Sequence, residues 1–92
     1  KIKLRLMTKD DIKDRNLPQN TTGLVITEID RDSPINYLQV NNIIVEAQKK
    51  KINTIGDLDN IVKLALRGAD KSLLIAIYNN NNQRRYIGVK LN

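Results

Sequence analysis

Neither histidine nor cysteine occurs in this chain, and their absence sets the chemistry available to it. Without them there is no imidazole to act as general base or neutral metal ligand, no thiolate nucleophile and no disulfide. A Ser-His-Asp or Cys-His arrangement cannot be assembled from these residues alone, and the carboxylates are sparse. No catalytic residue, no metal and no cofactor is therefore expected within the chain. The basic groups are the remaining candidates. Lys49-Lys50-Lys51 and Arg84-Arg85 have the spacing of a phosphate-binding patch. A single-strand reader also needs aromatic platforms for stacking, and three scattered tyrosines supply little. Runs this short read as a solvated turn and a solvated strand edge, so nucleic acid is not an expected partner.

These residues have only a small scaffold to hold them. Ninety-two residues make one domain, and with 40% hydrophobic and only 3% aromatic content its core must be aliphatic. No stretch approaches the roughly 20 apolar residues of a membrane span. The net charge of +6 is spread: segments 1–22, 49–71 and 72–92 each carry +3, and 23–48 carries −3. There is no signal peptide or lipidation motif, and a chain opening on Lys1 is expected to be a piece of a longer protein.

The patterning predicts mostly strands. Residues 2–7 alternate, with Ile2, Leu4 and Leu6 on one side and Lys3 and Arg5 on the other. Thr8 caps a short helix with Asp10 and Asp11 in its first turn, and Pro18 lies beyond its end. Gly23 opens a strand over 24–29 whose near-continuous apolar character predicts burial on both faces. Ser33-Pro34 opens about one helical turn reaching Leu38, and Asn41-Asn42 marks a turn. A strand over 43–47 precedes an exposed turn at Lys49–Lys51 and a short extended piece around Ile52. Thr54-Ile55-Gly56-Asp57 is a capping box with Asp in the Glu position. The helix behind it carries Leu58, Ile61, Val62 and Ala65 as one apolar stripe, and Gly68 is its expected left-handed terminator. A hairpin of 72–78 and 84–91 loops through Asn79-Asn80-Asn81-Asn82, with Ile87, Val89 and Leu91 on one face. The order predicts a mainly β domain with two to three helices (α+β), a small, partly open barrel or sandwich capped by a helix.

Three stretches together resemble a PDZ domain, in the circularly permuted form attached to bacterial HtrA (Deg) serine proteases. Gly23-Leu24-Val25-Ile26 leading to Ser33-Pro34 looks like the family's strand-turn-helix stretch. The segment from Leu38 to Ala47, with Ile43-Ile44, is similar to its "L-x-x-G-D-φ-I" segment, with Asn41-Asn42 in place of Gly-Asp. Thr54-Ile55-Gly56-Asp57-Leu58 is similar to its entry into the groove helix. The resemblance spans essentially the whole chain as one domain, residues 1–92. In the carboxylate-binding loop, written φ-Gly-φ in the family, the match is Ile2-Lys3-Leu4, with Lys3 where glycine is usual.

The resemblance implies β-augmentation, a mode in which PDZ domains are a standing example. A peptide's C-terminal residues add as a strand beside Leu4-Arg5-Leu6. Its last side chain enters an aliphatic pocket between Ile2, Leu4 and Leu6 and the helix residues Leu58, Ile61, Val62 and Ala65, with Lys3 or Arg5 attracting the carboxylate. The implied partners are hydrophobic C-terminal peptides or unfolded proteins, together with other PDZ or protease domains of the same protein. The implied parent is a serine endopeptidase of the bacterial periplasm or cell envelope, active in protein quality control, with this chain its C-terminal (second) PDZ domain. Two roles follow: capture of peptides for a protease domain, or assembly through PDZ–PDZ contacts with a vestigial groove.

Overall fold

The computed structural model describes residues 2–30, 38–69 and 71–91, so the short helix expected after Ser33-Pro34 lies outside the described residues. Six strands and two helices follow in the order β1 (Ile2–Leu6), α1 (Lys9–Asp14), β2 (Leu24–Ile29), β3 (Ile43–Ala47), β4 (Lys50–Lys51), α2 (Ile55–Arg67), β5 (Ser72–Tyr78) and β6 (Arg84–Lys90). All pairing is antiparallel, in the spatial order β1-β2-β3-β5-β6, with β4 folded back on β3. The sheet is open, with β1 at one end and β6 at the other. None of the helices described is long and apolar enough to cross a membrane.

Side-chain alternation lets this one sheet carry a core on each face. On one face Leu24, Ile26, Ile44, Leu73, Ile75, Ile77 and Val89 form the larger core, against which α2 packs. On the other, Val25, Ile43, Val45 and Ala76 form a smaller core with Leu17, covered by Met7 and Ile12. Leu24, Val25 and Ile26 are all buried, as their unbroken apolar run requires, whereas Thr27 and Glu28 beyond them are exposed.

Two bulges keep the apolar residues on the correct faces. Lys3 pairs with Glu28 but Leu4 with Ile26, which leaves Thr27 as the extra residue of β2. Strict alternation would put Ile26 and Ile29, three apart, on opposite faces; the extra residue returns Ile29 to the larger core. The Thr27 hydroxyl donates to the Lys3 carbonyl at 3.2 Å, bracing the irregularity. A second bulge at Val45, between the pairs Ile44–Ile77 and Glu46–Ala76, brings Ala47 into the larger core in the same way.

Both predicted N-caps form. The Thr8 and Thr54 hydroxyls accept from the amides of Asp11 and Asp57, whose carboxylates in turn accept from the cap amides. Two other local expectations are corrected. Gly68 is extended (φ −77°, ψ 163°) rather than left-handed. Its amide closes a tight last turn on the Ala65 carbonyl at 3.1 Å, and the positive φ falls instead on Lys71, at 47°. The turn after β3 is Gln48-Lys49, not Lys49–Lys51. With φ of 52° and 66° these two residues reverse the chain as a type I′ hairpin does, so Lys50–Lys51 returns as β4.

Gly23 is required by close approach: a Cβ there would lie 2.6 Å from the Ile44 carbonyl oxygen. Gly23→Ala is expected to cost about 1–3 kcal/mol, read as a lower urea midpoint with an unchanged slope. Lys49→Gly, by relieving a left-handed position, is expected to raise stability by about 1 kcal/mol in the same measurement.

Candidate functional site

The sequence of β1 places Ile2 and Leu4 on the face that looks toward α2, and the sheet leaves its outer edge without a strand partner among the described residues. The helix α2 packs against both β1 and β5, which stand three places apart in the sheet, so it lies across the concave face. No residue of α2 is fully buried. Leu58, Ile61, Val62 and Ala65 are half-buried and rest on the larger core. A helix seated this shallowly leaves a furrow along its flank.

That furrow holds a cavity of about 140 Å³, walled by Ile2 and Leu4 from β1 and by Leu58 and Val62 from α2. Its floor is Ile44 and Ile75, and Leu38, Leu73, Val89 and Leu91 complete an entirely aliphatic lining. The volume is close to the ~150 Å³ at which an apolar cavity stays dry and admits a benzene-sized group. It therefore suits one branched aliphatic side chain, whose burial is worth about 1.5–3 kcal/mol.

The other predicted site residues lie elsewhere. Ile61 and Ala65 line a separate hollow of about 340 Å³ on the opposite flank of α2, with Leu64, Gln48, Lys50 and Lys71. Leu6 is half exposed and borders a third hollow, of about 220 Å³, with Met7, Ile12, Gly23 and Asn53. Lys3 stands opposite Glu28 in the strand register and forms an ion pair with it at 3.4 Å. Arg5 reaches α1, where its two terminal nitrogens donate to the two Asp11 carboxylate oxygens at 2.8 and 2.9 Å. Hydrogen bonding from Arg5 holds the Asp11 carboxyl well below the usual carboxylate range, and the same bonds raise the Arg5 pKa. Leu38 and Leu91 were not among the expected pocket residues. The shared face of Ile87, Val89 and Leu91 was the sequence signal for Leu91.

The two basic stretches sit on different elements, the β3–β4 turn with β4, and β6. Arg84 is ion-paired with Glu46 at 2.9 Å and lies over the rings of Tyr78 and Tyr86, at 6.0 and 5.7 Å from their centres. Arg85 donates to the Gln83 side chain at 2.9 Å.

A curled antiparallel sheet, a helix laid beside a one-sided strand and an aliphatic furrow between them together define the PDZ fold. Comparison with solved structures agrees. The chain superposes on the HtrA-type protease AlgW, solved with a decapeptide, with a TM-score of 0.70 and 18% identity over 97% of this chain and 27% of that one. It also superposes on the PDZ domain of EpsC from Vibrio cholerae, with a TM-score of 0.59 and 11% identity over 97% of this chain and 92% of that one. The chain thus spans about a quarter of the protease's length. No protein-family profile and no curated protein matches it.

The Arg5–Asp11 pair, which ties β1 to α1, has a measurable pH signature. Asp11 also caps α1, so Asp11→Asn is expected to cost about 1–2 kcal/mol at pH 7, with Arg5's partial exposure keeping the value low. Because the folded pKa is depressed, this contribution is complete above the unfolded value near 4 and is lost as pH falls through the folded value. Urea titrations should show a constant gap between wild type and variant above about pH 5 that narrows steadily below pH 4.

Proposed function

We propose that this chain is a non-catalytic peptide-binding module of an HtrA-type serine protease. It would take an extended hydrophobic segment as an added strand along the outer edge of β1. The observation that carries this reading is the coincidence of an aliphatic cavity with that strand edge. The peptide runs antiparallel to β1, its backbone bonding to the outward amides and carbonyls, while one aliphatic side chain enters between Leu4 and Val62. Backbone pairing supplies affinity for many sequences, and the cavity selects for Val, Leu or Ile. Such a module suits a protease that must recognise misfolded chains by their exposed apolar segments, in the bacterial cell envelope, where relatives of this kind work. The likeness in fold to a protease solved with a decapeptide supports the same reading.

Titration of the isotope-labelled protein with an aliphatic heptapeptide is expected to shift the amides of Ile2–Leu6, Leu58 and Val62 and to leave the hairpin turn at Asn79–Asn82 unmoved. Val62→Thr keeps the side chain's shape but sets a hydroxyl without a partner against the ligand. It should weaken binding about tenfold while the urea midpoint changes little. Shifts spread over other surfaces, or none at millimolar peptide, would eliminate peptide capture and leave the assembly role. That second role has its own observation in Leu64, 61% exposed on the flank of α2 turned away from β1. Under it, Leu64→Asp should lower the sedimentation-derived mass of the protein without altering its circular dichroism.

A further inference from the structure

Resting on the peptide-binding reading above, we propose that Arg15, at the end of α1 on the face opposite the groove, is a positioning residue for peptide capture. It touches no ligand. It sets the width of the furrow, and with it the size of side chain the cavity admits.

The Arg15 guanidinium grips two separate turns. One terminal nitrogen donates to the Asn41 carbonyl at 2.6 Å, the other to the Asn79 carbonyl at 2.7 Å, and Nε donates to the Asn82 side-chain oxygen at 2.7 Å. The Asn82 side-chain amide donates back to the Arg15 carbonyl at 3.2 Å. A planar fork with donors in fixed directions can hold three acceptors in this way, and a single ammonium cannot.

These turns lead to the two sides of the furrow. The Asn41 amide donates to the Ile26 carbonyl at 2.8 Å, and Ile26 stands opposite Leu4, which forms a wall of the cavity. Asn79 directly follows β5, whose Leu73 and Ile75 belong to the cavity lining. Arg15 is thus linked through backbone bonds and strand pairing to both the wall and the floor.

The seam that Arg15 spans is short. Among the described residues, β2 is in register with β3 only at Leu24–Ile44 and Val25–Ile43, whereas β1 and β2 are paired from Ile2–Ile29 to Leu6–Leu24. The β1–β2 ribbon is therefore coherent in itself and joined to the remaining sheet over a small overlap. A swing about that overlap moves Ile2 and Leu4 relative to α2, which also rests on β5. Arg15 braces the overlap from behind, so the groove meets its ligand at a preset width and little ordering is left to be done on binding.

The test uses the protein containing this chain and two heptapeptides that differ only at the residue entering the cavity, Leu in one and Trp in the other. An indole exceeds the benzene-sized group that a cavity of about 140 Å³ admits. Dissociation constants are read from the chemical shifts of Leu4, Leu58 and Val62, and wild type should prefer Leu by about tenfold or more. Two variants release the strap: Arg15→Gln, and Asn82→Gly, which removes the Asn82 side chain at a position whose φ of 59° suits glycine. Each should weaken binding of the Leu peptide about three- to tenfold and shrink the preference for Leu over Trp at least about threefold. Arg15→Lys, which keeps the charge without the fork, should lose the preference as Arg15→Gln does. A simple loss of stability would weaken both peptides by the same factor. Variants that keep the wild-type preference, or a wild type that binds both peptides alike, overturn this inference and leave the peptide-binding reading standing. Failure of wild type to bind either peptide overturns both.

Discussion

A strand paired, among the described residues, along one edge only is the constraint on which the rest of this structure depends. The inner groups of β1 are satisfied by β2, and the outer row of amides and carbonyls must meet water or another strand, since such groups are costly to leave unpaired. Edge strands are ordinarily protected by charge, proline or distortion. In β1 the charges are present, but Lys3 and Arg5 stand on the reverse face, so the face toward α2 is aliphatic. The Thr27 bulge keeps this arrangement consistent along the strand. It lets Ile2 and Ile29 at one end, and Leu4 and Ile26 further along, lie on the same side of the sheet.

The shallow seating of α2 is the other half of the groove. A helix with one narrow apolar stripe would sink until that stripe was covered. The apolar residues of α2 span two flanks, Leu58 and Val62 toward β1, and Ile61, Leu64 and Ala65 toward the β3–β4 turn. Neither flank is fully buried by the domain's own residues. The helix rests across the sheet, braced by contacts to the end strand β1 and to β5 and by the capping box at Thr54. Hollows along both flanks follow from that geometry.

What the sequence revealed, and what it concealed, divides along the line between local and non-local causes. The five longer strands, both N-caps and the stripe of α2 were legible because alternation, cap chemistry and helical spacing act over a few residues. The groove side of the stripe was not legible: Leu58 and Val62 are separated from Ile61 and Ala65 only by the direction in which the helix is laid on the sheet. Nor were the bulges, since Thr27 and Val45 are distinguished by strand register and not by residue type. Gly68 misled for a related reason. Glycine permits a left-handed cap, but here the last turn tightens onto Ala65 and the chain leaves extended toward β5. The charges of Lys3 and Arg5 are plain in the sequence, but their partners Glu28 and Asp11 come from an adjacent strand and from the helix that follows β1.

The reverse face explains how so open a groove keeps its width. With six residues and none fully buried, α1 is too short to be stable alone, so it must be held at its ends. At its start Asp11 binds Arg5 of β1. At its end the Arg15 side chain donates to the Asn41 carbonyl at 2.6 Å, the Asn79 carbonyl at 2.7 Å and the Asn82 side chain at 2.7 Å. Asn41, left-handed at φ 77°, makes a tight reversal ahead of β3, a conformation that asparagine tolerates. The buried Asn42 side chain accepts from the Gln39 amide and donates to Asn80. The asparagine run is therefore the far anchor of a strap and not merely a hairpin loop. That strap runs from the β1 edge across the smaller core to the β5–β6 hairpin. Since α2 rests on β1 and β5 from the other side, tying these two strands together from behind fixes the distance across which the furrow opens.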